Sequence, residues 1–396
     1  MDPAERDRRA LPSLTGMRFI AVFLVFGGHA MAEGLFRDGG IDDALVGPSL
    51  AGSTTGVSFF FVLSGFILTW SAHGGEPARA FWRRRFFRLY PVNAVTWVIS
   101  AVIGLAVGNV VLELMNIPSA FMLQALFPRP YAINEPTWSL SVEVFFYLLF
   151  PVLLRRVRRI RAERLWLWAV VVAGAIVVVT LAVGLLPSQP WTLSLHMTWV
   201  QFWLVYSFPP VRALEFVLGM IMARVVQQGR WIPLRLWQAT GLVLVGYLVK
   251  VFTVTSPYGI VLPTLVPLAL LIPAAASADL DARSSLMASS VFQWLGKISF
   301  AFFMVHYMVL HFGRLFLFGN RTFPVPDGVG FLAVAFLVAV LCAWLLYVGI
   351  EQPFLRRYGR PLKPKASTPA GAPAVGPPAG CEPTPTPDRS ERRNER

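Results

Sequence analysis

Cysteine is nearly absent: two occur in 396 residues, Cys342 in an apolar stretch and Cys381 in a polar one. They offer neither a disulfide framework nor a metal-binding spacing. Charge is also scarce. Charged side chains make up 14% of the chain, against about 25% in soluble domains. Acidic residues number 21 against 35 basic ones, for a net charge of +14. This excess does not point to nucleic acid, because no soluble basic domain carries it. A Gly-x-Ser-x-Gly elbow, a phosphate-cradling glycine loop and a His-Glu-x-x-His pair are all missing, which excludes the chemistries those motifs serve. There is no internal repeat, and no paired broken apolar segments of the kind transporter halves carry.

What is present is apolar. Hydrophobic residues make up 56% of the sequence, in runs long enough to cross a bilayer. The pattern predicts an all-α, polytopic helical membrane bundle of about ten spans. The spans lie near 17–32, 56–72, 90–111, 137–154, 165–186, 209–226, 234–252, 257–276, 291–313 and 327–349. Segment 197–208 ends at Pro209-Pro210 and reads as an interfacial or re-entrant helix. The first run resembles a signal peptide in its basic flank, but it carries Arg18 and His29, lacks a convincing small-residue cleavage site and precedes many more spans. It is expected to be retained. Residues 1–358 form the membrane domain, and 359–396, rich in Pro and Ala, is expected to be a disordered tail.

Charge sets the expected threading. With the N-terminus inside and ten spans, 28 of the 35 basic residues fall on the inner side. The positive-inside rule then makes both termini cytoplasmic, in a multi-pass protein of the cell membrane in contact with anionic lipid.

Polar groups inside the spans carry the chemistry. Eleven steps of about 100° bring His29 to within about 20° of Arg18 on one helix face, roughly 16 Å along the axis. Ionisable groups within a span are functional candidates. A cation at the mouth and an imidazole deeper in suggest an anionic ligand at one end and proton chemistry at the other. Glu143 falls at the height of His29 and could orient it; the competing reading is a carboxylate satisfied by a serine or a tyrosine. Trp82-Arg83-Arg84-Arg85-Phe-Phe-Arg88-Leu-Tyr90-Pro91 suits a phosphate-bearing ligand, since guanidinium forks bind phosphate. A bare arginine run is more often a positive-inside stop signal that meets lipid headgroups, and Arg155-Arg156-Val-Arg158-Arg159 is read only that way. Arg212 and Glu215 share a helix face and should form an internal ion pair. His306 can be functional or simply bonded to a neighbouring helix. Ser64-Gly65-Phe66 looks like a packing notch.

Taken in order, these segments resemble a known family. They are Leu-Thr-Gly-Met-Arg18…His29, Phe-Val-Leu-Ser64-Gly65-Phe-Ile-Leu, Arg85-Phe-Phe-Arg88-Leu-Tyr90-Pro91 and Trp138-Ser-Leu-Ser-Val-Glu143. Arg212-Ala-Leu-Glu215-Phe-x-x-Gly219, Leu-Gly-Lys-Ile-Ser299…His306 and Glu351-Gln352-Pro353 follow. Over about residues 11–358 the chain is similar to the acyltransferase-three family of integral-membrane O-acyltransferases. Ser299-Phe300 stands where that family usually has Ser-Tyr, and the hydrolase-like domain of some members is absent.

The resemblance implies acyl transfer from cytoplasmic acyl-CoA, a cosubstrate rather than a bound cofactor, to a hydroxyl, usually on a sugar. It implies no metal. Arg18 and His29 are expected to be central, with Glu143 supporting His29 in catalysis. Arg18, Arg85, Arg88, Tyr90, Trp138, Ser64 and His306 are expected to bind substrate. The acceptor is a cell-surface glycan or a glycosylated natural product such as an antibiotic macrolide. A transporter of a polar or lipid-linked solute and a non-catalytic membrane scaffold remain the alternatives.

Overall fold

The computed structural model describes residues 10–72, 76–106, 116–128, 133–190, 195–283, 285–319 and 321–358. The expected tail, 359–396, lies outside the described residues, as do Arg6, Arg8 and Arg9. Ten helices are long and apolar enough to cross a membrane, and no strand occurs among the described residues. They are α1 (Pro12–Ala32), α2 (Gly39–Ser71), α3 (Ala78–Ala106), α4 (Trp138–Arg158) and α5 (Leu165–Gly184). Then come α6 (Pro209–Gln227), α7 (Leu236–Thr253), α8 (Leu262–Leu280), α9 (Ser290–Phe318) and α10 (Val325–Leu346).

Each span expected from sequence has its helix, with two corrections at the boundaries. First, α2 begins at Gly39, well ahead of the span suggested over 56–72. The Asp38 carboxylate caps it by accepting from the Gly40 amide at 3.0 Å. At 1.5 Å per residue α2 is about 50 Å long, well beyond the ~30 Å hydrocarbon core. Second, α3 begins at Ala78, so Arg83–Arg88 lies on the helix itself rather than in a loop before it. Segment 197–208 is helical from Trp199 to Ser207 and breaks at extended Phe208, where Pro209 starts α6. It is too short to be a span of its own, in line with the interfacial reading.

α2 is the most buried span, and α5, α7 and α10 are peripheral. The α2–α6 crossing is made by reciprocal glycines. A Cβ on Gly65 would collide with the Phe216 carbonyl, and one on Gly219 with that of Val62. Backbones therefore meet directly, as small residues permit where no hydrophobic drive separates helix from lipid. The same crossing buries the expected ion pair: Arg212 Nη1 lies 3.0 Å from Glu215 Oε1, and Nη2 donates to Ser58 Oγ on α2 at 3.0 Å. Lys250, fully buried on α7, donates to Thr264 Oγ1 on α8 at 3.3 Å.

Aromatic rings join α1, α9 and α10: Phe26 lies 6.0 Å from Phe302 and 5.6 Å from Phe336. Beyond them, a parallel bridge pairs Phe36 with Phe323, and Arg314 donates to the carbonyls of Glu33 and Gly34. These bonds tie the exit of α1 to the α9–α10 turn. Gly319 ends α9 in the left-handed region at φ 58°, where a side chain would be strained.

Candidate active site

Two helices direct three arginines at one cleft. Arg18 comes from α1, and Arg85 and Arg88 come from α3. The cleft holds about 890 Å³ of empty space, its open mouth included. Three residues apart on a helix, Arg85 and Arg88 share a face, which is why the sequence motif works as a unit. Arg85 is steered by two rings, its guanidinium 5.5 Å from the Phe81 ring centre and 5.6 Å from that of Tyr147. Arg83 turns away and is exposed.

Glu143 is the carboxylate of this cleft. Its Oε1 accepts from Ser64 Oγ at 3.1 Å and from the Tyr147 hydroxyl. Ser64 therefore enters the site through its bond to Glu143, while Gly65 beside it supplies the packing notch. A second carboxylate, Glu351, lies within electrostatic reach of Arg18 and Arg88 and is buried. Two carboxylates thus partly offset three guanidinium groups.

Glu143 does not meet His29. The expectation that it orients the imidazole is corrected by the packing. α4 lies chiefly against α6 and also touches α2 and α3, and there Glu143 bonds Ser64 and Tyr147 rather than His29. Heights counted from sequence also ignore tilt, which differs between helices. The carboxylate sits instead with Arg18, the residue at the opposite end of α1's polar pair.

His29 has a different partner. Its Nδ1 lies 2.9 Å from the Val25 carbonyl and 3.3 Å from Nε2 of His306 on α9. The tautomers follow from the acceptors. His306 Nδ1 faces the carbonyls of Phe303 at 2.8 Å and Phe302 at 3.3 Å. A carbonyl only accepts, so that Nδ1 carries the proton and Nε2 keeps its lone pair. His29 Nδ1 then faces two acceptors and must itself be protonated. The basic nitrogen of His29 is therefore Nε2. Tyr307 packs edge-on to the ring at 5.5 Å. Further along α9, His311 Nδ1 lies 3.1 Å from Glu33 Oε1.

The cleft and the histidine pair are neighbours but not one cavity. Phe60 and Phe303 line the cleft, their rings 6.5 Å apart, and Phe303 touches His306 at 5.7 Å. His29 itself does not line the cleft.

Two expected binding residues are not brought to the site. Tyr90 stacks on Phe86 at 4.8 Å. Trp138 is buried against Tyr206 at 4.7 Å and Phe61 at 6.4 Å. Both aromatic side chains pack helices rather than line the cleft. Ser64 and Tyr147 are the serine and tyrosine that the competing reading of Glu143 called for, but sequence reasoning gave Tyr147 and Glu351 no place among the site residues. Tyr147 had a signal, one helical turn after Glu143. Glu351 stood in a quoted motif but is separated from its arginines by most of the chain. No cluster of His, Cys, Asp or Glu suited to a metal occurs among the described residues.

Ten apolar helices around a polar, arginine-lined cleft, with a histidine pair beside it, define a multi-pass membrane protein. The chain matches the family described as acyltransferase domain over residues 11–348, and it belongs to that family of membrane acyltransferases. It is 37% identical to acyltransferase MdmB of Streptomyces mycarofaciens over 379 residues, covering 91% of this chain and 95% of that one. It is 26% identical to peptidoglycan O-acetyltransferase OatA of Listeria monocytogenes over 251 residues, 57% of this chain and 36% of that protein. Nodulation protein 10 of Rhizobium leguminosarum is 27% identical over 164 residues, 36% of this chain and 41% of its own length. No solved structure matches.

Proposed function

We propose that this membrane acyltransferase takes its acyl group from cytoplasmic acyl-CoA and transfers it to a hydroxyl of a carbohydrate or of a glycosylated natural product. One observation carries the donor assignment: Arg18, Arg85 and Arg88 converge on one cleft whose deep wall adjoins the histidine pair. Guanidinium groups in that arrangement suit a donor with phosphates at one end and a reactive carbonyl at the other. OatA is by name a peptidoglycan O-acetyltransferase, which favours a sugar hydroxyl as acceptor.

In this reading His29 Nε2 takes the proton of the acceptor hydroxyl, and the oxygen attacks the thioester carbonyl. The carbon–sulfur bond breaks, the proton passes to the thiolate, and an O-acyl ester and a free thiol leave. His306 fixes the tautomer that exposes Nε2 and accepts the Nδ1 proton's hydrogen bond when His29 is charged. Glu143 acts as the arginines' counter-charge.

The excess of basic residues on one side supports cytoplasmic termini and the cell membrane as location. Purified protein in lipid nanodiscs should release free thiol from acyl-CoA only when a hydroxylated acceptor is present. Acyl transfer that ignores acyl-CoA would overturn the donor assignment.

A further inference from the structure

A second recess adjoins the cleft, near the start of α3 and the end of α4, and holds about 1020 Å³ of empty space with its mouth included. The two cavities share Leu68 and Arg85, so they meet at those two side chains. The outer chamber is strongly positive. α3 contributes Arg84 and Arg85, and α4 contributes Arg155 and Arg158. Its one carboxylate, Glu76, is already paired with Arg84. Arg158 donates to the Ala72 carbonyl at 2.9 Å, and Arg155 has no ion-pair partner among the described residues.

This arrangement separates the α4 basic cluster into two halves. Arg155 and Arg158, three residues apart, share the helix face that lines the recess. All four are exposed, but Arg156 and Arg159 line neither cavity. A stop signal for membrane insertion requires only charge near the membrane, not two guanidinium groups facing two more across a recess. Like charges so placed repel until an anion with several negative oxygens enters between them.

We propose that the outer recess is the docking site for the phosphorylated nucleotide end of the acyl donor. Arg84, Arg155 and Arg158 hold its 3′-phosphate end, the diphosphate lies between Arg85 and Arg88, and the slender uncharged arm runs on into the cleft. This assignment rests on the donor being a coenzyme A thioester, whose diphosphate and 3′-phosphate match the excess of guanidinium groups. An anionic lipid headgroup is the other source of phosphate at such a place.

The test uses the full chain in nanodiscs of phosphatidylcholine, with and without phosphatidylglycerol. Coenzyme A affinity is measured by calorimetry for the wild type, for R155A/R158A, and for R156A/R159A, which removes the same charge outside the recess. R155A/R158A should weaken coenzyme A binding by about tenfold or more. It should also lower the preference for acyl-CoA over acyl-pantetheine by the same factor, and R156A/R159A should do neither. Equal effects of the two pairs, or no effect of either, would overturn the proposal. So would phosphatidylglycerol abolishing the difference between wild type and R155A/R158A, which would assign the recess to lipid phosphate. A wild type that transfers acyl groups from another thioester yet binds no coenzyme A would bring down the donor reading itself.

Discussion

Nε2 of His306 faces Nδ1 of His29 at 3.3 Å, joining two helices that lie far apart in sequence. With both Nδ1 protons assigned by the carbonyls they face, the pair has one free basic nitrogen, on His29. A neutral imidazole thus orients His29, where sequence suggested a carboxylate.

Removal of the base should be far more damaging than removal of its partner. His29→Ala should lower kcat by about 10²- to 10⁴-fold, the range of general-base catalysis, with the protein still folded and inserted. His306→Ala should lower kcat less and leave the KM for acyl-CoA near the wild-type value. His306→Gln, which keeps an acceptor for the Nδ1 proton, should recover part of the loss. Steady-state kinetics on purified variants, with circular dichroism as the folding control, decide this; substantial turnover by His29→Ala would remove it as the base.

Glu143→Gln should spare the chemical step. Its carbonyl oxygen still accepts from Ser64 and Tyr147, and only the counter-charge to the arginines is lost. The expected effect falls on the KM for acyl-CoA, with kcat held within about tenfold of wild type, below the 10² that proton transfer is worth. A collapse of kcat at unchanged KM would return Glu143 to the proton-transfer step.

Arg85→Ala and Arg88→Ala should each raise the apparent KM for acyl-CoA by about 10- to 150-fold, since a charge-assisted contact is worth about 1.5–3 kcal/mol. Lysine should rescue only in part, because it restores charge without the fork. If Arg88→Ala impairs an acyl-pantetheine donor lacking the nucleotide as badly as acyl-CoA, its role is structural.

Two substitutions test the α2–α6 crossing without touching the cleft. Gly65→Val should destabilise by about 1–3 kcal/mol or more, the usual cost of overpacking, because its Cβ meets a backbone carbonyl. Glu215→Ala should cost about 3–5 kcal/mol by leaving Arg212 buried without its ion-pair partner. Thermal unfolding in one detergent, followed by tryptophan fluorescence, would measure both; wild-type midpoints would show that the crossing is not where stability resides.

The chain's own order of residues determined the ten spans, the Arg212–Glu215 pair and the Arg85–Arg88 face. These depend on runs of apolar side chains and on contacts within one helix turn, where geometry is set by a 3.6-residue period. It also carried the family resemblance, since ordered short motifs need no coordinates to be read. The tertiary structure decided what each polar group meets. Glu143 joined the arginines and His306 joined His29, because partners between helices depend on tilt and on which helices pack together. Trp138 went to packing for the same reason. The α4 arginines divided into a pair that lines the recess and a pair that does not only once α3 stood opposite, since identical charges on one helix acquire different surroundings from their neighbours.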